Sequence, residues 1–390
     1  MMWKLAWRNI YGAGLRSIIN IFILAFVIIG IIWMEGMYEG WMRIAERQSK
    51  EWECAGGRYE MAAYDRFDPF SWDKSHAVIP LSLQPLVQKG DAVPILISTG
   101  SIFPQGRMKA VVIKGIPAGQ TALKLPTKAL ADSGEYIPAL IGTNMAKSSA
   151  LNKGDIVTLR WKDVHGAFNA ADIVIAEVMQ TPVMSVDNDQ LWLDLNRLQQ
   201  MKDLPQQTTF IVLKSGVQAP PNVPGWRFLT VDDMLADLHE IMQTETKQAY
   251  ITYAILLFLA MIAIFDTQVL AVFRRRKEIG TLTALGMTAQ RIILLFTVEG
   301  MLYAVLASGA AAILGMPLFI YFGTRGWLLP ESFQDFGIAG FKDPVVFEYT
   351  LGMVISTLVL VISLTAFVSW IPALRIARLK PTDALRGKLR

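Results

Sequence analysis

Four adjacent cations, Arg274 to Lys277, lie between two long apolar stretches of the chain. Such a run cannot lie in hydrocarbon, so we place it in water beside a membrane, on the cytoplasmic side where Lys and Arg accumulate. The apolar residues that follow fall mainly on one helical face: Ile279, Leu282, Leu285 and Met287. Gly286 suits the left-handed position that ends many helices. Segment 274–290 is therefore predicted to be a short amphipathic cytoplasmic helix, which fixes the orientation of the rest of the chain.

The apolar residues are concentrated in four blocks. With 53% hydrophobic residues and a mean hydropathy of +0.37, the chain is too apolar for an ordinary soluble enzyme. We predict an α-helical membrane protein with four transmembrane helices, since each block reaches the ~20 residues that a span requires. The predicted spans are residues 15–37, 248–273, 291–322 and 346–372. The first is interpreted as an uncleaved anchor, because no small-residue cleavage site follows it.

The distribution of charge supports this topology. Twelve Lys and Arg residues fall in the segments predicted to be cytoplasmic and two more, Arg16 and Arg291, lie at their borders, against two in the short outer loop 323–345. The cytoplasmic segments are an interfacial helix at 1–14, the helix at 274–290 and a basic tail at 373–390. We therefore expect a multi-pass protein of the inner (cytoplasmic) membrane with both termini in the cytoplasm. The net charge of +4 reflects topology, and nucleic acid is not an expected partner.

Residues 38–247 have the composition of a soluble domain. We predict a large mixed α/β extracytoplasmic domain, inserted between spans 1 and 2, with helical stalks at both ends. The predicted strands are residues 93–98, 109–116, 156–161, 172–179, 190–194 and 209–213. The predicted helices are residues 142–150, 196–202 and 231–246. The order of strands in the sheet is left open.

The segment after the cations carries a specific motif, R-x-x-E-I-G-x-L-x-A-L-G. Its residues are Arg275, Glu278, Ile279, Gly280, Leu282, Ala284, Leu285 and Gly286, with Arg276 beside the first of them. Together with Ile292, Phe296 and Glu299-Gly300 further on, it closely resembles the signature of FtsX-like and MacB-type permeases of the ABC transporter superfamily. In that family the segment is the coupling helix, so the resemblance implies that these residues contact a separate ATPase subunit.

The resemblance implies further partners and a function. A permease of this kind pairs with an identical or paralogous permease, binds two copies of the ATPase and transmits motion across the membrane, which is termed mechanotransmission. An extracytoplasmic domain of this size resembles those of the lipoprotein-releasing permeases and MacB-type exporters, and the segment from Gly56 to Met61 is reminiscent of the lipoprotein-releasing branch. Since no polar pathway through the spans is visible, the favoured cargo is a lipoprotein or another lipid-anchored or amphiphilic molecule extracted from the membrane. MacB-like export of peptides or antibiotics, and FtsX-like regulation of a cell-wall hydrolase, stay open.

Two acidic residues, Asp266 and Glu299, fall inside predicted spans, where ionisable groups are costly and often functional. Each lies about eight residues, or roughly 12 Å of helix, from the cytoplasmic cations. Pairing with Arg275 or Arg291 is favoured over a proton relay, because one acid per helix does not form a relay chain.

The chain is not expected to be a catalyst. It lacks the Gly-x-x-x-x-Gly-Lys-Ser/Thr loop that holds nucleotide phosphates, so ATP and Mg²⁺ are expected only in the partner ATPase and no cofactor in this chain. The three histidines have no neighbours at metal-ligand spacing, and no metal site is predicted. The candidates for contact with cargo lie near the predicted stalk, although packing is the better explanation for them: Trp41, Ile44, Trp52 and Met61.

Overall fold

The computed structural model describes residues 2–12, 14–131, 134–328 and 344–377. The described residues divide into two compact units. One contains those of 1–42, 242–327 and 344–390, and the other contains those of 43–241 and 328–343. Each unit has its own hydrophobic core.

The first unit is helical. Helix α1 spans Met2–Gly12, α2 spans Leu15–Ser49 and continues into a π-helix at Lys50–Cys54. The last helices of the chain are α9 (Ala236–Arg274), α10 (Arg276–Ala284), α11 (Ala289–Arg325) and α12 (Leu351–Ala377). Helices α2, α9, α11 and α12 are long and apolar enough to cross a membrane, which confirms the four apolar helices expected from the sequence.

The fourth span starts later than predicted. Its prediction began at residue 346, whereas α12 begins at Leu351. The preceding residues are held in an extended path, because Val345 pairs with Trp327 in a β-bridge and the Glu348 N–H donates to the Gly36 carbonyl. Gly40 permits this approach, since a Cβ there would lie 2.1 Å from the Val346 carbonyl oxygen.

Aromatic rings surround this extended segment. Trp33 lies 5.3 Å from the Phe347 ring and 5.6 Å from Trp327, and Phe322 stacks on Phe347 at 5.0 Å. Tryptophan and tyrosine are typical of the membrane–water interface. Residues 378–390 of the predicted basic tail (373–390) and most of the predicted outer loop lie outside the described residues.

The second unit is an α/β domain whose strands form one large sheet and one two-stranded ribbon. The strands are β1 (Arg58–Met61), β2 (Ala77–Val78), β3 (Ala92–Ile102), β4 (Lys109–Ile116), β5 (Ile137–Gly142), β6 (Ile156–Lys162), β7 (Phe168–Met179), β8 (Gln190–Asp194), β9 (Gln207–Thr208), β10 (Phe210–Leu213) and β11 (Trp226–Leu229). Its helices are α3 (Pro69–Trp72), α4 (Gln84–Lys89), α5 (Thr143–Ser149), α6 (Met184–Asp187), α7 (Leu195–Lys202) and α8 (Val231–Met234). All six predicted strands are present, and five further strands were not predicted.

Six of the strands close into a barrel. The large sheet runs β11-β1-β10-β3-β4-β8-β5-β7-β6, and β6 also pairs with β3 through Gly100↔Trp161 and Ser101↔Arg160. Gly100 allows this double pairing, because a Cβ there would lie 2.6 Å from Ile113 and 2.9 Å from the Arg160 carbonyl oxygen. The barrel interior is filled by apolar side chains such as Ile113, Leu159 and Leu191, all 0% exposed.

Candidate functional site

The predicted cytoplasmic segment forms a helix with a sharp start and a sharp end. Arg275 has non-helical backbone angles, φ −95° and ψ 15°, which separate α9 from α10. At the other end Gly286 has φ +93°, a conformation that favours glycine, and its N–H donates to the Thr283 carbonyl. The glycine stop predicted from the sequence is therefore confirmed.

One side of α10 is buried. Ile279 is 7% exposed and belongs to a small apolar cluster with Val272, Ile292, Phe296 and Ala373. These residues come from α9, α11 and α12, so the cluster joins α10 to three of the long helices. Met287 packs against the same cluster after the glycine stop.

Arg275 connects this helix start to α11 and α1. Its Nη1 lies 3.2 Å from Glu299 Oε2 and its Nε lies 2.9 Å from Glu278 Oε2. Asn9 Nδ2 on α1 also donates to Glu299 Oε2, at 3.0 Å. The guanidinium lies 5.5 Å from the centre of the Phe296 ring. The Glu299 side chain is only 4% exposed, so its charge is compensated by Arg275 and Asn9 rather than by water.

The other side of α10 is exposed. Glu278, Thr281 and Leu285, spaced i, i+3 and i+7, share that face, and Leu285 is 79% exposed. The prediction that Leu285 shares a face with Ile279 is wrong, since six residues rotate a helix to a position about 120° away. Gly280 is buried, and the side chains of Arg276, Leu282 and Ala284 lie outside the described part of the chain.

Sequence reasoning missed three contacts near Glu299. Asn9 is one, and Ser17 and Tyr303 are joined by a hydroxyl–hydroxyl hydrogen bond of 2.9 Å between α2 and α11. At Gly300 a Cβ would lie 1.9 Å from Ser369 Oγ, so α11 and α12 pack closely there. A glycine beside an intramembrane acid was the only signal in the sequence for this contact.

The two intramembrane acids differ. Glu299 pairs with Arg275, one of the two arginines expected near it, at 3.2 Å. Asp266 on α9 is exposed, and the described residues provide it with no ion pair or hydrogen bond. It lies between exposed Ile262 and Leu270 on the outer surface of the helix.

The four residues suggested as cargo-facing are mostly buried. Trp41, Ile44 and Trp52 are 6–9% exposed, and Trp52 and Met61 pack in the core of the second unit. In this structure these side chains pack against other parts of the protein.

The histidines are separated, each with its own partner. His76 contacts Gln207, His165 contacts Asp203 and His239 contacts Glu46. The described residues contain no group of three or more His, Cys, Asp or Glu side chains placed to hold a metal ion.

Comparison with known proteins finds one similar solved structure and one similar family. One solved structure, the periplasmic region of MacB from Actinobacillus actinomycetemcomitans, is similar to 47% of this chain and is covered over 92% of its own length, at 11% sequence identity and a TM-score of 0.33. No curated protein matches the chain. Residues 250–381, which contain α10, α11, α12 and most of α9, match the family model of the FtsX-like permease C-terminal domain. This part of the chain is therefore similar to the C-terminal domain of FtsX-like permeases.

Proposed function

We propose that this chain is an FtsX-like permease that transmits ATPase-driven motion across the inner membrane and uses it to extract lipoproteins or other lipid-anchored cargo. The single observation that carries the first part is the structure of α10. One face of the helix is exposed at Leu285, while its start is fixed to α11 and α1 through Arg275, Glu299 and Asn9. A soluble subunit that moved the exposed face would therefore displace α11 as well.

A separate ATPase subunit, present in two copies, is the proposed occupant of that face. The exposed leucine provides apolar area of the kind found at the centre of an interface, and Glu278 provides a charge beside it. ATP and Mg²⁺ would be bound by the ATPase, and this chain would contribute no catalytic residue.

A substitution at Leu285 tests this. With the ATPase co-expressed, Leu285→Glu is expected to abolish co-purification and to leave the permease folded, because the side chain is 79% exposed. Leu81→Glu is the matched control, since Leu81 is 83% exposed in the second unit. Co-purification that survives Leu285→Glu, or that is lost equally with Leu81→Glu, would contradict the proposal.

A second permease is the proposed neighbour of α9. Ionisable groups in membrane spans almost always face protein or water, whereas Asp266 lies on the outer surface between Ile262 and Leu270. A second copy or a paralogue covering this surface would remove the carboxylate from lipid.

Lipid-anchored cargo is favoured by a groove in the first unit. A groove of about 780 Å³ opens among α2, α9 and α12, lined by apolar side chains that include Leu257, Leu360 and Phe367. Glu35 and Thr357, joined by a 3.3 Å hydrogen bond, lie in the same lining. An acyl chain fits this apolar lining, which contains only a few polar groups. If the protein does not release acylated cargo, two alternative functions remain. They are export of a free peptide or drug, and activation of a cell-wall hydrolase without any transport.

A further inference from the structure

A second cleft lies in the α/β unit, across one face of the large sheet. Its volume is about 790 Å³, within the range of ligand-binding sites. Six consecutive strands contribute to its floor, in the order β11, β1, β10, β3, β4 and β8. The pairings Glu60↔Phe210 and Ile97↔Lys114 confirm that the lining residues share a face. Five strand spacings of about 4.8 Å make the floor roughly 24 Å long, the length of about seven extended residues.

Lys114 is the cation in this floor without an acidic partner at contact distance. Its Nζ lies 4.8 Å from the centre of the Trp192 ring, and the described residues offer it no hydrogen-bond acceptor. Burial lowers the pKa of Lys114 to about 8, although the nearby Glu53 opposes this effect and Arg58 adds to it. At neutral pH the side chain is therefore still a cation that would gain from an anionic ligand.

The acidic side chains of the lining already have partners. Glu60 is 2% exposed and pairs with both Arg58 and Arg227. Asp237 pairs with Arg66, and Glu53 accepts a 2.5 Å hydrogen bond from Ser185. Asp233 accepts hydrogen bonds from Thr230 at the start of α8. Lys114 is thus the cation of the described lining left without a carboxylate, and an acidic group of a ligand would supply one.

Two buried polar atoms in the lining also lack partners among the described residues. One is a donor, Arg58 Nε, and the other is an acceptor, Gln190 Oε1. They belong to β1 and β8, four strand spacings apart. A peptide backbone supplies both an acceptor and a donor at every residue, whereas a phosphate or carboxylate supplies acceptors alone. Tyr64, Phe67 and Trp72 line the same cleft and offer aromatic surface to side chains.

We propose that this cleft binds an extended segment of another polypeptide, about seven residues long, with an Asp or Glu side chain placed at Lys114. The segment would lie across the strands, so that its backbone meets Arg58 and Gln190 and its apolar side chains meet the aromatic residues. This site goes beyond the proposed function, since it requires neither the ATPase nor an acyl chain.

The test uses the full chain in lipid nanodiscs and a random heptapeptide library with blocked ends, read by mass spectrometry of the retained peptides. Retained peptides are expected to be enriched in Asp or Glu beside an aromatic or aliphatic residue. Lys114→Met is expected to lower their retention about tenfold, the effect of one charge-assisted hydrogen bond. Lys153→Met is the control, because Lys153 is an exposed lysine of the same unit outside the cleft.

Thermal unfolding separates loss of binding from loss of fold. Lys114→Met removes a half-buried charge that has no acidic partner at contact distance in the described part of the chain and is expected to unfold no earlier than the wild type. The proposal is overturned if the library is not retained, if Lys114→Met retains the same peptides as Lys153→Met, or if soluble glycerophosphoglycerol displaces the peptides, which would point to a lipid headgroup. Because no ATPase is present, these outcomes are independent of the Leu285→Glu experiment.

Discussion

At the scale of single residues, Gly300 matters because of what lies opposite it. The sequence shows only a glycine after an intramembrane glutamate, and the family resemblance marks the pair without a reason. The structure supplies the reason, since Ser369 on α12 occupies the space where a Cβ would be. Small residues allow helices to approach closely in membranes, where packing rather than the hydrophobic effect holds them together.

Gly300→Ala is therefore expected to destabilise the helical unit, and Ser369→Gly is expected to restore it. The alanine Cβ would overlap Ser369 Oγ and Cβ, which lie 1.9 Å and 2.4 Å from its position. Overpacking of this kind costs about 1–3 kcal/mol. The thermal unfolding of the purified full chain measures the effect. Equal unfolding temperatures for Gly300→Ala and the Gly300→Ala/Ser369→Gly double variant would show that overlap with Ser369 is not the cause of the destabilisation.

Asp73 is a residue that sequence reasoning could not select. It accepts hydrogen bonds from Ser98 and Thr99 on β3 and pairs at 3.1 Å with Lys202, whose side chain is only 4% exposed. These partners are 25 to 129 positions away along the chain, so no local pattern brings them together. Burial opposes ionisation of Asp73, but the hydrogen bonds and the lysine outweigh it and lower its pKa.

Asp73→Asn is expected to cost the α/β unit about 3 kcal/mol, because it leaves a buried lysine without its counter-ion. A carboxylate with a lowered folded-state pKa contributes stability above its unfolded pKa of about 3.9, and that contribution is lost as the pH falls through the folded value. The difference in unfolding temperature between wild type and Asp73→Asn should thus be full at pH 7 and shrink below about pH 4.

Asp172→Asn is the control for that measurement. Asp172 is exposed, and Thr158 on the adjacent strand is its one hydrogen-bond donor among the described residues, at 2.7 Å. Its substitution should lower the unfolding temperature little at either pH. An Asp73→Asn effect that is equally large at pH 3 would mean that the charge of Asp73 is not its source.

At the scale of elements, the long helices could be predicted from their length and apolar character. The long strands could be predicted from the alternation of apolar and polar residues. Four short strands, β1, β2, β9 and β11, have four residues or fewer and provide too little pattern. β5 was missed for another reason, since it contains Pro138, which argues against a central strand. The proline is tolerated because β5 pairs with β8 only from Leu140 onward.

The groove among α2, α9 and α12 leads to a prediction at the same scale. Leu360→Trp is expected to fill the groove and to abolish release of a triacylated lipoprotein from proteoliposomes, while ATPase binding persists. Val359→Trp is the control, because Val359 is the neighbouring residue of α12, 57% exposed and outside the groove. Release that is unaffected by Leu360→Trp would exclude the groove as an acyl site.

The groove and its lining could not be predicted from the sequence. The groove forms only where three helices that are distant along the chain come together.

At the scale of the whole molecule, the proposed pairing of two permeases can be tested through α9. Asp266→Cys is expected to form a disulfide between two copies in the membrane, seen as a dimer on a non-reducing gel. The native thiol should not interfere, because Cys54 is 2% exposed. Ile313→Cys is the control, since Ile313 is 77% exposed on α11. Equal dimer formation by both variants would indicate random collision, and none with Asp266→Cys would exclude pairing of identical chains at this surface.

The order of the strands could not be predicted from the sequence, and with it the closure of the barrel. The pairing of β6 with β3 depends on a glycine in the middle of a strand, a signal that is usually taken as a weakness. Its consequence is mechanical. A ring of six strands has no free edge from which to peel, so a pull on any one of them is shared by the others. Drawn from its two ends in a force spectrometer, the α/β unit should first lose the strands outside the ring, β11, β1 and β10, and then lengthen in one abrupt step as the ring opens.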